Sequence, residues 1–330
     1  LIHGINLSFT IPFLLTLKKL LQKSRSSSVS AKLPIKKLLR YSLLSYIMIL
    51  FSQIAWDKSE IFFLGKFSNA SQIALYSLAY SMALLMAGFF AAVNNVLNYT
   101  TAEIVTHHKD ETLKYISEHV CKYLALLMFP AVIYITLFMK DIVILFYSEK
   151  FAASALLFPL LAIGHLVGIM ISPANNVPVY KNEIHKIILI TVAAGILNIL
   201  LDLLIVPSHQ AFGAAIANTF AQFFYIGLIL LNARKYRLGI LNRYMLRIIG
   251  INLILAILAS AFIFYSDLMY MKALFVLLTV FIYSAAVMRF AFNLNDLELL
   301  RKLHHLVPKL FQSAFLFIFN RIEKNVHKTK

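Results

Sequence analysis

Charge is scarce in this sequence. Asp, Glu, Lys and Arg make up 14% of its 330 residues, against about 25% in an ordinary soluble domain. The acids number only 14. With 61% hydrophobic residues and a mean hydropathy of +0.80, the apolar surface is too large for one water-soluble core. Cysteine is nearly absent. The single Cys121 excludes an internal disulfide and reads as a small buried apolar side chain. Catalytic signatures are missing as well. There is no Gly-x-x-x-x-Gly-Lys phosphate loop and no Gly-x-Ser-x-Gly elbow, and His107–His108 and His304–His305 lack zinc-ligand spacing. The reading is a non-enzyme with no cofactor. A membrane glycosyltransferase or polymerase would need a sizeable polar loop or an acidic catalytic cluster, and the longest loop here is basic and has neither.

Long apolar runs are what the chain does have. A spanning helix needs about 20 mostly apolar residues. Nine stretches qualify or nearly so: 1–17, 41–56, 74–97, 121–139, 153–173, 185–206, 211–231, 246–266 and 270–291. The chain starts at Leu1 with no basic leader, so 1–17 is expected to be the end of a helix belonging to a truncated first lobe. The basic residues then set the orientation. The odd-numbered loops and the tail hold 26 of the 31 Lys and Arg. By the positive-inside rule these face the cytoplasm, the C-terminus included. The net charge of +17 is therefore a topology signal with some attraction to anionic lipid, and not a nucleic-acid footprint.

The expected organisation follows. Residues 18–40 form a basic, serine-rich cytoplasmic linker, and 41–231 a six-helix lobe. Two additional membrane helices occupy 232–291, and 292–330 form an interfacial tail with leucines at near-helical spacing. Trp56 sits where an interfacial aromatic belongs, and "DKSE" after it reads either as a helix leaving the membrane or as charge lining a wet cavity.

The segment "WDKSEIFFLGKFSNASQIALYSLAYSMA" resembles the start of the second lobe in polysaccharide exporters of the oligosaccharide flippase type, relatives of multidrug and toxin extrusion transporters. Asp57, Leu64, Gly65, Tyr76 and Ala79 carry the resemblance, while Leu75 stands where such families often have Gly. "GILNILLDLLIVPSHQAFGAAIANTFA" is similar to the same family's helical hairpin through Asn198, Pro207, Gly213, Ala214, Ala215 and Ala217. "ILFYSEKFAASALLFPLLAI" is a looser third match, through Phe151. The resemblance implies an all-α transmembrane fold, the second lobe of a two-lobe flippase with two accessory helices. It implies movement of a lipid-linked oligosaccharide across the inner membrane by alternating access, beside a polymerase or glycosyltransferases of the same pathway. The alternatives are a cation-coupled drug antiporter of the same superfamily and a non-transport subunit of envelope glycan assembly.

The candidate substrate or coupling residues are Asp57, Lys58, His165, Asp202 and Arg247. A carboxylate in a span costs about 2.5–3.5 kcal/mol unless paired or wet, which singles out Asp202. His165 lies mid-span and reads either as packing or as a cavity group. Lys122 and Arg247 begin helices and suit either membrane anchoring or a diphosphate. Asn94, Asn95, Asn175, Asn176, Asn218 and Gln222 supply amides near helix ends, and "SPANNVPVY" is expected to break its helix. The spacings Gly213–Ala217–Ala221 and Gly164–Gly168 read as close helix packing.

Overall fold

A computed structural model describes residues 51–107, 110–265 and 268–292, with Leu43, Tyr46 and Asp296. The chain divides into two compact units, Leu1–Ile47 and Met48–Lys330, and almost all described residues lie in the second. The expected span 1–17, the linker 18–40, most of the span 41–56 and most of the tail lie outside the described residues.

All regular elements among the described residues are helical. A π-helical segment, Gln53–Lys58, runs directly into α1, Ser59–Phe67. Then follow α2, Ala70–Thr106; α3, Asp110–Phe146; α4, Ser154–Met170; and α5, Ser172–Tyr180. The long α6, Ile184–Ala233, precedes α7, Arg243–Tyr265, and α8, Met269–Phe290. Among the described residues five helical stretches are long and apolar enough to cross a membrane, and α4 with α5 makes a sixth candidate, bent by 45° at Ile171. The chain is a multi-pass membrane protein.

Local chemistry sets the boundaries. Asn69 ends the helical run after Phe67 and caps α2, its Oδ1 accepting from Gln72 N at 3.1 Å. Asn242 does the same for α7 through Met245 N at 2.8 Å. The expected turn at Pro207 is displaced. The helix continues through Pro207 and breaks at Gln210, with φ 50° and ψ −130°. A proline removes its own N–H, but the left-handed backbone of Gln210 is what reverses the chain. The reversal is visible in the hydrogen bonds. Asn198 and Asn218 both donate to the same Oε1 of Glu60, at 2.9 and 2.6 Å. Twenty residues of straight helix would separate them by about 30 Å, so α6 is a hairpin of two arms. Gly213 closes it, since a Cβ there would lie 2.8 Å from Ile205 O. Counting both arms, seven of the nine expected spans have described helices.

Two further boundaries differ from expectation. The helix around Trp56 does not end at the "DKSE" cluster but passes through it to Phe67. The expected span 121–139 is the middle of the 37-residue α3. In both cases the flanking polar residues keep helical geometry, because their backbone hydrogen bonds are made within the helix whether or not lipid surrounds it.

Small side chains bring the helices together. Ala79, Ala83 and Ala87 recur every four residues on α2 and are buried, and Ala214, Ala217 and Ala221 are buried on the second arm of α6. Large apolar side chains face outward, as in Leu85, Phe89, Leu277 and Phe281, which suits contact with lipid. Helices α7 and α8 pack on α3. Tyr283 joins all three, its hydroxyl donating to Leu126 O at 3.0 Å and accepting from Asn252 Nδ2 at 3.3 Å.

Basic side chains gather at one end of the bundle. There Lys181 meets Asp110 at 3.3 Å. Glu183 takes hydrogen bonds from Lys235, from Lys186 at 2.9 Å and from the Tyr236 hydroxyl at 2.8 Å. The Lys235 bond first, then the other two, hold the Glu183 carboxyl down at about 2. At the opposite end Lys272 meets Asp141 at 2.7 Å.

Candidate functional site

The polar interior begins with two carboxyl groups. Glu60 and Asp202 are each fully buried, on α1 and on the first arm of α6. Helix α6 reaches them because Gly195 admits a close crossing. A Cβ there would stand 2.6 Å from the Phe51 ring and 2.9 Å from the Ala55 Cβ. One turn on, Asn198 Nδ2 bonds Ala55 O at 2.7 Å, Glu60 Oε1 at 2.9 Å and Ser59 Oγ at 3.1 Å. Ser59 Oγ donates to Asp202 Oδ2 at 2.9 Å. From the second arm, Asn218 Nδ2 reaches Glu60 and Gln222 Nε2 reaches Asn218 Oδ1, both at 2.6 Å.

This network is short of donors. Glu60 Oε2, Asp202 Oδ1 and Asn198 Oδ1 are buried without a hydrogen-bond partner among the described residues. No Lys or Arg pairs with either carboxyl group there. Leaving buried acceptors unmatched costs about 1–3 kcal/mol each, and two uncompensated carboxylates cost more. The arrangement is therefore suited to take up a proton or a small cation. Among the described residues no three His, Cys, Asp or Glu side chains gather as a transition-metal site would need.

Gln222 ties this network to an open cavity of about 560 Å³. Its Nε2 lies 3.5 Å from His165 Nε2. It fits because position 164 is glycine, where a Cβ would lie 2.4 Å from Gln222 Oε1. The cavity is lined by Trp56, Tyr80 and Tyr225, by the amides Gln53, Asn94, Asn175, Asn176 and Gln222, and by His165. The bend between α4 and α5 brings Asn175 into it, where Oδ1 accepts from the Tyr225 hydroxyl at 2.9 Å. Trp56 meets Tyr225 edge-on, with ring centroids 6.0 Å apart.

The sequence candidates separate accordingly. Asp202 enters the buried network and His165 lines the cavity, with its ring 5.4 Å from Tyr80. Asp57 and Lys58 lie on the π-helical segment, and their side chains are outside the described set. Arg247 is elsewhere, exposed, donating to Phe290 O at 3.2 Å. Lys122 is buried against Asp296, whose other oxygen accepts from the Tyr123 hydroxyl at 2.7 Å. Neither faces the cavity. Gly164 meets the close-packing expectation, since a Cβ there would collide with Gln222 on the neighbouring arm of α6, whereas a Cβ on Gly168 would touch nothing within 4 Å. Glu60 was missed as a site residue. Its signal was a pattern, Asn198 with Asp202 and Asn218 with Gln222, two polar pairs at four-residue spacing on consecutive apolar helices.

Comparison with known proteins gives this site its setting. Residues 14–156 match the family model described as polysaccharide biosynthesis protein. The structure superimposes on the lipid II flippase MurJ in an inward closed conformation with a TM-score of 0.58 and 17% identity, over 77% of this chain. The fold is MurJ-like. The chain spans 55% of the length of that flippase. No curated protein matches the sequence. The polysaccharide-exporter resemblance of "WDKSEIFFLG" thus falls inside the family match, and the α6 hairpin motif falls beyond it.

Proposed function

We propose that this protein moves a lipid-linked oligosaccharide, carried on a polyprenyl diphosphate, across the inner membrane for surface polysaccharide assembly. Residues 41–231 act as the second lobe of a two-lobe carrier, 232–291 as accessory helices, and the basic end of the bundle with the C-terminus faces the cytoplasm. The observation that carries the reading is a pair of buried carboxyl groups, without a Lys or Arg partner among the described residues, hydrogen-bonded through to an open polar cavity within a MurJ-like fold. The cavity takes the substrate's polar portion while its lipid tail stays in the bilayer. A proton or alkali cation at Glu60 and Asp202 supplies the energy coupling, and Gln222 connects the two sites. Pathway polymerases and glycosyltransferases are its working neighbours.

Proteoliposomes holding the protein and a fluorescent polyprenyl-diphosphate oligosaccharide test this. Transfer of the label between leaflets is expected to depend on an ion gradient and to fall at least tenfold in Glu60→Gln and Asp202→Asn. Gradient-driven export of tetraphenylphosphonium with no lipid movement would instead make it a drug antiporter.

A further inference from the structure

The cavity's chemistry assigns it to one part of such a substrate. A diphosphate calls for Arg or Lys donors, and among the described residues none of the cavity-lining side chains is a formal charge. His165 is the one imidazole, held against Tyr80 and Gln222. Of the basic candidates whose side chains are described, Lys122 is turned into Asp296 and Arg247 onto Phe290 O. The lining is instead made of amides and aromatic rings. A carboxamide both donates and accepts in one plane, which matches neighbouring hydroxyls on a sugar ring. Aromatic faces match its C–H surface, and a few fixed polar groups on apolar walls give orientation.

We infer that this cavity is a subsite for uncharged sugar rings, centred on Asn175, Tyr225 and Trp56, and that the diphosphate is neutralised outside it. The inference rests on the flippase reading above. Two observations shape the subsite. The Tyr225 hydroxyl occupies Asn175 Oδ1, which fixes the amide and leaves its Nδ2 hydrogens without a partner among the described residues. Tyr225 in turn holds the Trp56 ring edge-on, so the indole presents a fixed wall. The 560 Å³ of space is of the size that small-molecule sites use, about 300–1,000 Å³. The described lining offers a sugar amides and aromatic rings, so a neutral ring is the ligand it fits best.

Trp56 is the chain's only tryptophan and reports on the subsite directly. The full chain in nanodiscs is titrated with N,N′-diacetylchitobiose, an acidic disaccharide carrying a uronate, inorganic pyrophosphate and tetraphenylphosphonium, following tryptophan emission. The neutral disaccharide is expected to shift the emission saturably and the other three to leave it unchanged. Asn175→Ala and Tyr225→Phe are each expected to weaken the disaccharide about five- to tenfold, one hydrogen bond's worth. Circular dichroism checks that both variants remain helical. A saturable response to pyrophosphate, the cation or the uronate equal to that of the neutral sugar overturns the assignment. So does the absence of any response, or one that both variants leave intact. Lipid movement that persists in proteoliposomes while Trp56 ignores sugar sinks the subsite alone, whereas loss of lipid movement sinks the flippase reading.

Discussion

Replacing Glu60 by glutamine is expected to make the protein more stable and less active at once. The glutamine oxygen keeps the place of Oε1 and still accepts from Asn198 and Asn218, at 2.9 and 2.6 Å. Its new NH2 group stands in place of Oε2, in surroundings where Asp202 Oδ1 and Asn198 Oδ1 are buried without partners among the described residues. The substitution thus removes one carboxyl group from a site with too few donors and adds two N–H groups. Satisfying one or two buried acceptors recovers about 1–3 kcal/mol, or very roughly 2–4 °C in Tm per kcal/mol. The assay is thermal unfolding followed by emission of Trp56, in detergent, across a series of sodium concentrations and pH values. The wild-type midpoint should climb with the coupling cation, because a ligand that binds only the folded state stabilises by RT ln(1 + [L]/Kd). Glu60→Gln should begin higher and respond little. A variant that unfolds earlier than wild type in every condition, or that tracks wild type through both series, refutes the reasoning, since the carboxyl pair would then already be balanced.

Three other outcomes follow from the geometry. Asp296→Ala strands the Lys122 ammonium, buried and also ringed by Tyr123, Tyr244 and Phe292; it should cost about 3–5 kcal/mol, and adding Lys122→Met should recover most of that in a double-mutant cycle of unfolding. Gly195→Leu should lose folded protein on size-exclusion chromatography, because overpacking against Phe51 and Ala55 outweighs by about 1–3 kcal/mol or more the roughly 1 kcal/mol of helix propensity gained. Glu183→Gln should cost under about 1 kcal/mol and less in high salt. The depressed Glu183 pKa makes its contribution constant above the unfolded carboxylate value near 4.3, and it is lost as pH falls through about 2, so wild-type and variant unfolding midpoints should converge over that window.

The membrane bundle was readable because apolar length and basic clustering survive without knowledge of contacts. The bend at Ile171 was legible in "SPANNVPVY", where Pro173 and Pro178 crowd five residues apart. The site was legible in part. Asp202 stood out by its cost in lipid, but Glu60 was hidden inside "DKSE", where four polar residues look like a helix reaching headgroups. What distinguishes them is rotation about the helix axis. The π-helical turn at Gln53–Lys58 shifts the register before Ser59 and Glu60, and a single sequence does not announce that shift. Lys122 misled for the related reason that its partner, Asp296, lies 174 residues away.

One carboxyl oxygen gripped from both arms of the α6 hairpin has a mechanical meaning. Glu60 works as a rivet, so α1 and the two arms travel together as a wedge. The second arm extends that hold to both sides of the elbow at Ile171, through His165 and Leu160 on α4 and Asn175 on α5, so the elbow is braced from the same wedge.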